Sequence, residues 1–357
     1  MKKFALVLCM ILALGACKEE KAKQPQSKPV IKIGALYPMS GDGAVFGEAA
    51  KNAVSIFFEE FNSKPHKFDY QVVFEDNQNV LSKQAVLAQK IINIDKADVL
   101  ITVLSNFGAV VSPLAQQSKT LHISTATDPN VAKGKYNIIA SSNPQGEIDL
   151  LYTTLLKNKV QKVDVVIAQA TGPEVMLDEL KQKEGLNIDQ VYSVNINEKD
   201  FRLMLHKIKE NKPDYIIALL AMPTIDVFMR QYHENEINIP VTGIETFSYL
   251  QNKELAEGMW YVDAAPATDE YVKKYQEKTG SNTTNYAEYM DFMLQMVTFG
   301  YEKSGSTNAE DVANYLENNA SGQKTAVGVV SVEPDGVLIA QPVVKKVING
   351  EPVIIKE

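Results

Sequence analysis

The chain has 357 residues, 45% of them apolar and 22% charged, and its 36 basic and 44 acidic side chains give a formal charge of −8. That length exceeds what a single hydrophobic core serves, so two domains are expected, and the composition is that of a globular protein rather than a disordered chain. The acidic balance argues against nucleic acid or an anionic lipid surface as the partner of the folded part.

Residues 1–17 read as a targeting segment. Lys2 and Lys3 precede the apolar run Phe4 to Ala13, too short to cross a bilayer but right for the centre of an export signal. The run closes in Leu14-Gly15-Ala16-Cys17, which resembles a bacterial lipobox. Cys17 is therefore expected to be lipidated and to tie the protein to a membrane of the cell envelope. Lys18 to Pro29 is charged and polar and has nothing to bury, so it reads as a tether. Cys9 and Cys17 are the only cysteines, which leaves the mature fold without a disulfide or thiol chemistry.

From Val30 onward strand and helix alternate. Val30 to Pro38 is a β-rich run ending in a glycine loop, and apolar residues from Val45 to Phe61 recur at helical spacing. Tyr70 to Glu75, Asp98 to Leu104 and the run from Leu121 read as further strands, with helices at Leu81 to Ile94 and Gly108 to Gln117 between them. No hairpin signal interrupts this order, the pattern of a parallel sheet with right-handed crossovers. Ala140 to Gly146 breaks the rhythm with small and turn-forming residues, and a domain boundary is expected there. The cycle then restarts with a helix from Glu147 and strands at Lys162 to Ala168, Gln190 to Val194, Asp214 to Leu220 and Ile239 to Gly243. A strand from Gly258 to Ala265 leads to a second boundary at Pro266, and three helices follow before Ala326 to Glu333 and Val337 to Val347, which read as a hairpin around Asp335-Gly336. The expected fold class is α/β, two doubly wound Rossmann-like lobes.

Two strands stop in small polar residues, Asp98 to Leu104 in Ser105-Asn106 and Leu121 to Ser124 in Thr125-Ala126-Thr127. In open parallel sheets ligands bind outside the carboxyl ends of the strands. Hydroxyls and backbone N–H groups beside a helix N-terminus suit an anion such as a carboxylate, although serine and threonine also serve simply as caps. No catalytic centre can be nominated. His66, His122, His206 and His233 lack metal-ligand spacing, adjacent carboxylates such as Glu59-Glu60 do not face one another, and neither a nucleophile elbow nor a phosphate loop is present. The chain is expected not to be an enzyme and to need no cofactor.

The opening IKIGALYPMSGDGAVFGEAAKNAV, the turn YQVVFEDNQN and the stretches ITVLSNFGAVVSPLAQQ and HISTATDPNVA resemble the type I periplasmic solute-binding proteins of branched-chain amino acid ABC transporters, the leucine/isoleucine/valine-binding class. The resemblance covers about Ile31 to Glu351. It implies two lobes joined by three crossover segments, near Asn143, Ala265 and Glu333, so that residues 30–142 and 266–332 form lobe 1 and residues 143–265 and 333–357 form lobe 2. It further implies an amino acid or related solute, held by Ser105, Asn106, Thr125, Ala126 and Thr127 in lobe 1 and through its ammonium by Glu245 in lobe 2, with Phe46 as the aromatic of the first loop. The lobes would close on the solute and a monomer would dock on an ABC transporter permease. A tyrosine common after the first lobe 2 strand is replaced by Ala170-Thr171-Gly172-Pro173. The other reading with the same fold is a lipoprotein that senses a ligand or activates an envelope enzyme without transport.

Overall fold

The computed structural model describes residues 27–142, 144–333 and 337–355, so the export signal, Cys17, the tether as far as residue 26 and the Pro334-Asp335-Gly336 turn lie outside the described residues. The first lobe begins with β1 (Val30–Tyr37), α1 (Ala44–Phe61), β2 (Asp69–Asp76), α2 (Leu81–Lys90), β3 (Val99–Thr102), α3 (Ser105–Ser118), β4 (Leu121–Ser124) and β5 (Asn137–Ser142). The chain then crosses to α4 (Pro144–Lys157), β6 (Lys162–Ala168), α5 (Thr171–Lys181), β7 (Asn187–Val194), α6 (Arg202–Asn211), β8 (Tyr215–Leu219), α7 (Thr224–Glu234), β9 (Val241–Gly243) and β10 (Trp260–Asp263). It returns to the first lobe for α8 (Asp269–Thr279), α9 (Ala287–Ser304), α10 (Ala309–Asn319), the short pair β11 (Lys324–Thr325) and β12 (Gly328–Val329), and then β13 (Ser331–Val332) and β14 (Val337–Ala340). The strands β15 (Val343–Ile348) and β16 (Glu351–Ile354) end the described chain.

The first sheet runs β13-β14-β5-β4-β3-β1-β2 and is parallel except for β13. Its central strands are buried on both faces, as a sheet covered by helices on each side requires. Alternate residues divide accordingly: Ile33, Ala35 and Ile101 pack under α1, α8, α9 and α10, while Leu36 and Leu100 pack under α2 and α3. The apolar face of α9, with Tyr289, Met290, Met293 and Val297, is the centre of the larger core. The second lobe holds a parallel sheet ordered β7-β6-β8-β9 and an antiparallel one ordered β10-β15-β16. A single parallel bridge, Ile244 to Val262, ties the two together.

Two sequence expectations change. The small residues Ala140 to Ser142 are the end of a buried strand, β5, which crosses only after Ser142. The hairpin around Asp335-Gly336 is shorter than expected, because Ser331–Val332 pair with Leu338 and Ile339 while Val337–Ala340 lie parallel to β5. The third crossing therefore falls at Gln341-Pro342, not near Glu333, and residues 337–340 belong to the first lobe. VLIA is buried throughout and lies between β13 and β5, while VVKKVI pairs antiparallel with β10 and buries Val344 and Val347 on opposite faces, in two different cores of the second lobe.

The tight pairing of β8 and β9 supports the turn that follows Gly243. A Cβ at that position would lie 2.2 Å from the Ala218 carbonyl oxygen and 2.6 Å from Thr246 Oγ1, both held in place. Gly243→Ala should cost roughly 1–3 kcal/mol, as overpacking of an ordered interior does. Urea unfolding is expected to show a lower midpoint with an unchanged slope.

Candidate functional site

The carboxyl ends of both sheets face one cleft. On the first lobe, Leu104 carries a φ of +66°, and this turn sets Ser105 at the first position of α3. Ser105 Oγ accepts the backbone N–H groups of Thr127 at 3.0 Å and Asp128 at 3.1 Å, and it lies 3.0 Å from Thr127 Oγ1. The serine therefore fixes the loop after β4 and brings the two hydroxyls together. Thr125 is held through its backbone to Thr102, at 3.2 Å. Asn106 Oδ1 accepts the Phe107 N–H at 3.0 Å, so the side chain turns back on the backbone of the first turn of α3. Ala126 points the other way, fully buried among Val131, Ile139 and Ile339, and only its backbone can reach the cleft.

Glu245 stands on the opposite lobe, in the turn after β9, with a φ of +54°. Its backbone N–H donates to the Val262 carbonyl at 2.6 Å, and its carboxylate accepts the Tyr249 hydroxyl at 2.5 Å. Tyr249 in turn stacks on Tyr286 of the first lobe, with ring centroids 5.8 Å apart and planes at 12°. Phe46 meets the edge of Tyr286 at 6.0 Å, and Tyr289 lies at the same distance on another side. Phe46, Tyr286 and Tyr249 thus form an aromatic row spanning the lobes and ending at Glu245.

The floor of the cleft is the hinge itself. The Ala265 N–H donates to Ser142 Oγ at 3.3 Å and the Ala265 carbonyl accepts from Tyr289 at 3.0 Å, which stitches the first two crossings together. Asp263 is buried beside them, paired with Lys345 at 2.5 Å and accepting from Ser248 at 2.8 Å. Glu245 forms no ion pair among the described residues. Burial first, and then the Asp263 charge, push its carboxyl up to about 7, against the pull of the Tyr249 hydrogen bond and Lys345. Part of the Glu245 surface remains open, while its carboxylate lies deep among protein atoms.

The structure thus brings together Ser105 with Thr127, and separately Phe46 with Glu245. It gives Asn106 and Ala126 local roles. Sequence reasoning missed Tyr249, Tyr286 and Tyr289, together with Asp263 and Lys345. Tyr249 follows Glu245 by four residues and could have been suspected on that spacing. The tyrosines at the start of α9 looked like core, and Tyr289 is core, but the left-handed backbone at Asn285 and Tyr286 turns the second of these toward the cleft. Among the described residues no cluster of His, Cys, Asp or Glu could hold a metal ion, and no helix is long and apolar enough to cross a membrane.

Two lobes, three crossings and a polar cleft at the strand ends define a two-lobed solute-binding protein. The chain belongs to the periplasmic binding protein family, whose model matches residues 30–343. Members of this family bind solutes outside the cytoplasm and are not enzymes. The chain is similar to the Leu/Ile/Val-binding protein BraC3 of Rhizobium johnstonii, with 25% identity over 89% of this chain and 91% of the relative. In structure it is similar to the leucine-binding protein LivK of Thermotoga maritima, with a TM-score of 0.79, 20% identity and coverage of 91% of this chain and 98% of the other. A solute-binding protein from Rhodopseudomonas palustris, in complex with 3,4-dihydroxybenzoic acid, matches with a TM-score of 0.80 and 19% identity over 91% and 96% of the two chains.

The lobes are in contact at Gly172, where an added Cβ would lie 2.8 Å from Thr127 Oγ1 and 3.5 Å from Ser105 Oγ. Gly172→Ala should therefore hold the lobes apart and weaken solute binding roughly tenfold while leaving each lobe folded. Calorimetry on the bound solute and small-angle scattering at saturation check this. The raised carboxyl of Glu245 predicts a pH effect. Between its unfolded value of 4.5 and about 7 the folded, unliganded protein binds more protons than the unfolded chain, so this contribution to stability is full below 4.5 and lost as pH rises through 7. The melting temperature of the free protein is expected to fall less steeply from pH 5 to 8 in Glu245→Gln than in the wild type.

Proposed function

We propose that the cleft takes an amino acid or a closely related small solute bearing an ammonium group, and that the closed form delivers it to an ABC transporter permease. The observation that carries this reading is the largely enclosed Glu245 carboxylate, set in the cleft without an ion-pair partner among the described residues while its neighbour Asp263 has Lys345. A charge so enclosed needs a counter-charge, and an ammonium supplies one when the lobes close. The Ser105 and Thr127 hydroxyls beside the start of α3 suit the carboxylate end of such a solute. Several relatives are named for leucine, isoleucine and valine, and one structural neighbour was solved with isoleucine bound, in keeping with this class. Other neighbours were solved with benzoate or hydroxybenzoates, but a purely anionic solute would meet the Glu245 and Asp263 charges without relieving them. The protein would work from the outer face of a membrane, held there by a lipid on Cys17.

A screen of amino acids and small amines by thermal shift tests the reading. A cognate solute at about 100 times its Kd should raise stability by roughly 2.7 kcal/mol. Glu245→Ala should abolish the shift with the unliganded fold intact, and an unchanged affinity in that variant would remove the residue from the site. No shift with any ammonium-bearing compound would overturn the proposal.

A further inference from the structure

A third carboxylate lies at the cleft floor that neither the hinge contacts nor the Glu245 clamp employs. Glu147, in the first turn of α4 just past the first crossing, is fully buried. Neither of its carboxylate oxygens has a hydrogen-bond partner, although the Ser142 hydroxyl is close enough to favour the charged form. The charge of Glu245 acts on it most strongly and that of Asp263 less so, and all three carboxylates act on Tyr289. Burial raises its carboxyl well above the ordinary range, as the neighbouring acids do. The charges that act on it are those of Glu245 after β9 and Asp263 on β10; Glu288 on α9 and Lys345 on β15 act on the neighbouring Tyr289 and Glu245. The lysine is committed to Asp263. One ammonium at Glu245 would still leave Glu147 enclosed and unanswered.

Protonation alone does not resolve this position. A neutral Glu147 would have a hydroxyl to donate and a carbonyl oxygen to satisfy, and a buried polar group without partners costs about 1–3 kcal/mol. The carboxylates do not converge as metal ligands among the described residues, so the missing partner is not a metal ion held by this set. An organic cation fits better: it brings several N–H donors, and the stacked rings of Tyr249 and Tyr286 with Phe46 beside them offer π-faces that favour positive charge.

Resting on the reading that Glu245 receives an ammonium, we infer that the solute carries a second positively charged nitrogen, received by Glu147, which makes it a basic amino acid or an aliphatic diamine. Glu147 is then a specificity-determining residue, since it separates a dication from a neutral side chain of equal length.

The test compares lysine, ornithine and 1,5-diaminopentane with norleucine and leucine by titration calorimetry on the whole mature protein, in the wild type and in Glu147→Gln and Glu147→Met. The wild type should bind at least one of the dications ten-fold or more tightly than norleucine. Both variants should lose that preference, with norleucine bound as well as before or better. Norleucine or leucine binding as tightly as every dication, or a preference that survives in both variants, would overturn the inference while leaving the ammonium reading of Glu245 in place. Binding of none of the five compounds would overturn the inference, and the wider screen of ammonium-bearing compounds then decides separately whether the Glu245 reading falls as well. A purely structural role for Glu147 would show as a change in melting temperature with the dication-to-norleucine ratio unmoved, which also counts against it.

Discussion

Two parallel sheets that point their carboxyl ends at one cleft can do so only if the chain crosses between them at the floor, and the rest of the molecule depends on that constraint. The crossings follow β5, β10 and β14, of which β5 and β14 pair in the first sheet, and the first two crossings are joined by Ser142, Ala265 and Tyr289. These contacts are few, two hydrogen bonds together with the packing of Ala264 and Ala265 on the first lobe's core. The cores themselves are separate, one centred on α9 and the others in the second lobe, so closure repacks neither.

Electrostatics supplies what the hinge does not. Closing the cleft over Glu245, Asp263 and Glu147 removes carboxylates from water, a cost that one lysine offsets only for Asp263. On the proposed reading an unliganded closed form is held back by its own charges, and a cationic solute would shift the balance by being attracted only when both lobes are in place. The aromatic row works in the same direction, since Tyr249 reaches Tyr286 only across the cleft. The hydroxyl half behaves differently. Ser105 and Thr127 are already locked to one another within the first lobe, so that half of the site is preorganised and pays little ordering entropy when a solute arrives.

Much of this was legible in the residues. Apolar runs ending in small polar residues marked β3 and β4 and their use at a cleft edge, and alternating strands and helices marked two doubly wound lobes. Periodicity failed where two strands were short and adjacent. Nothing in the spacing of VLIA and VVKKVI says that the first joins a parallel sheet in one lobe and the second an antiparallel sheet in the other, because that choice depends on partners far away in sequence.

The sequence by itself determined the class of fold, the export and anchoring signals expected at its start, and the candidacy of Ser105 and Thr127, since these rest on local pattern and on order along the chain, whereas Glu245 became a candidate through the family resemblance. Only the tertiary structure decided that Asn106 turns back on the backbone of its own helix, that Ala126 faces a core, and that Tyr249, Tyr286 and Phe46 form one row. It alone set Glu147, buried and unpartnered, beside Glu245. The physical reason is that burial and charge proximity are properties of distance in space, and residues 147, 245, 263 and 345 come from four segments that only the crossings bring together.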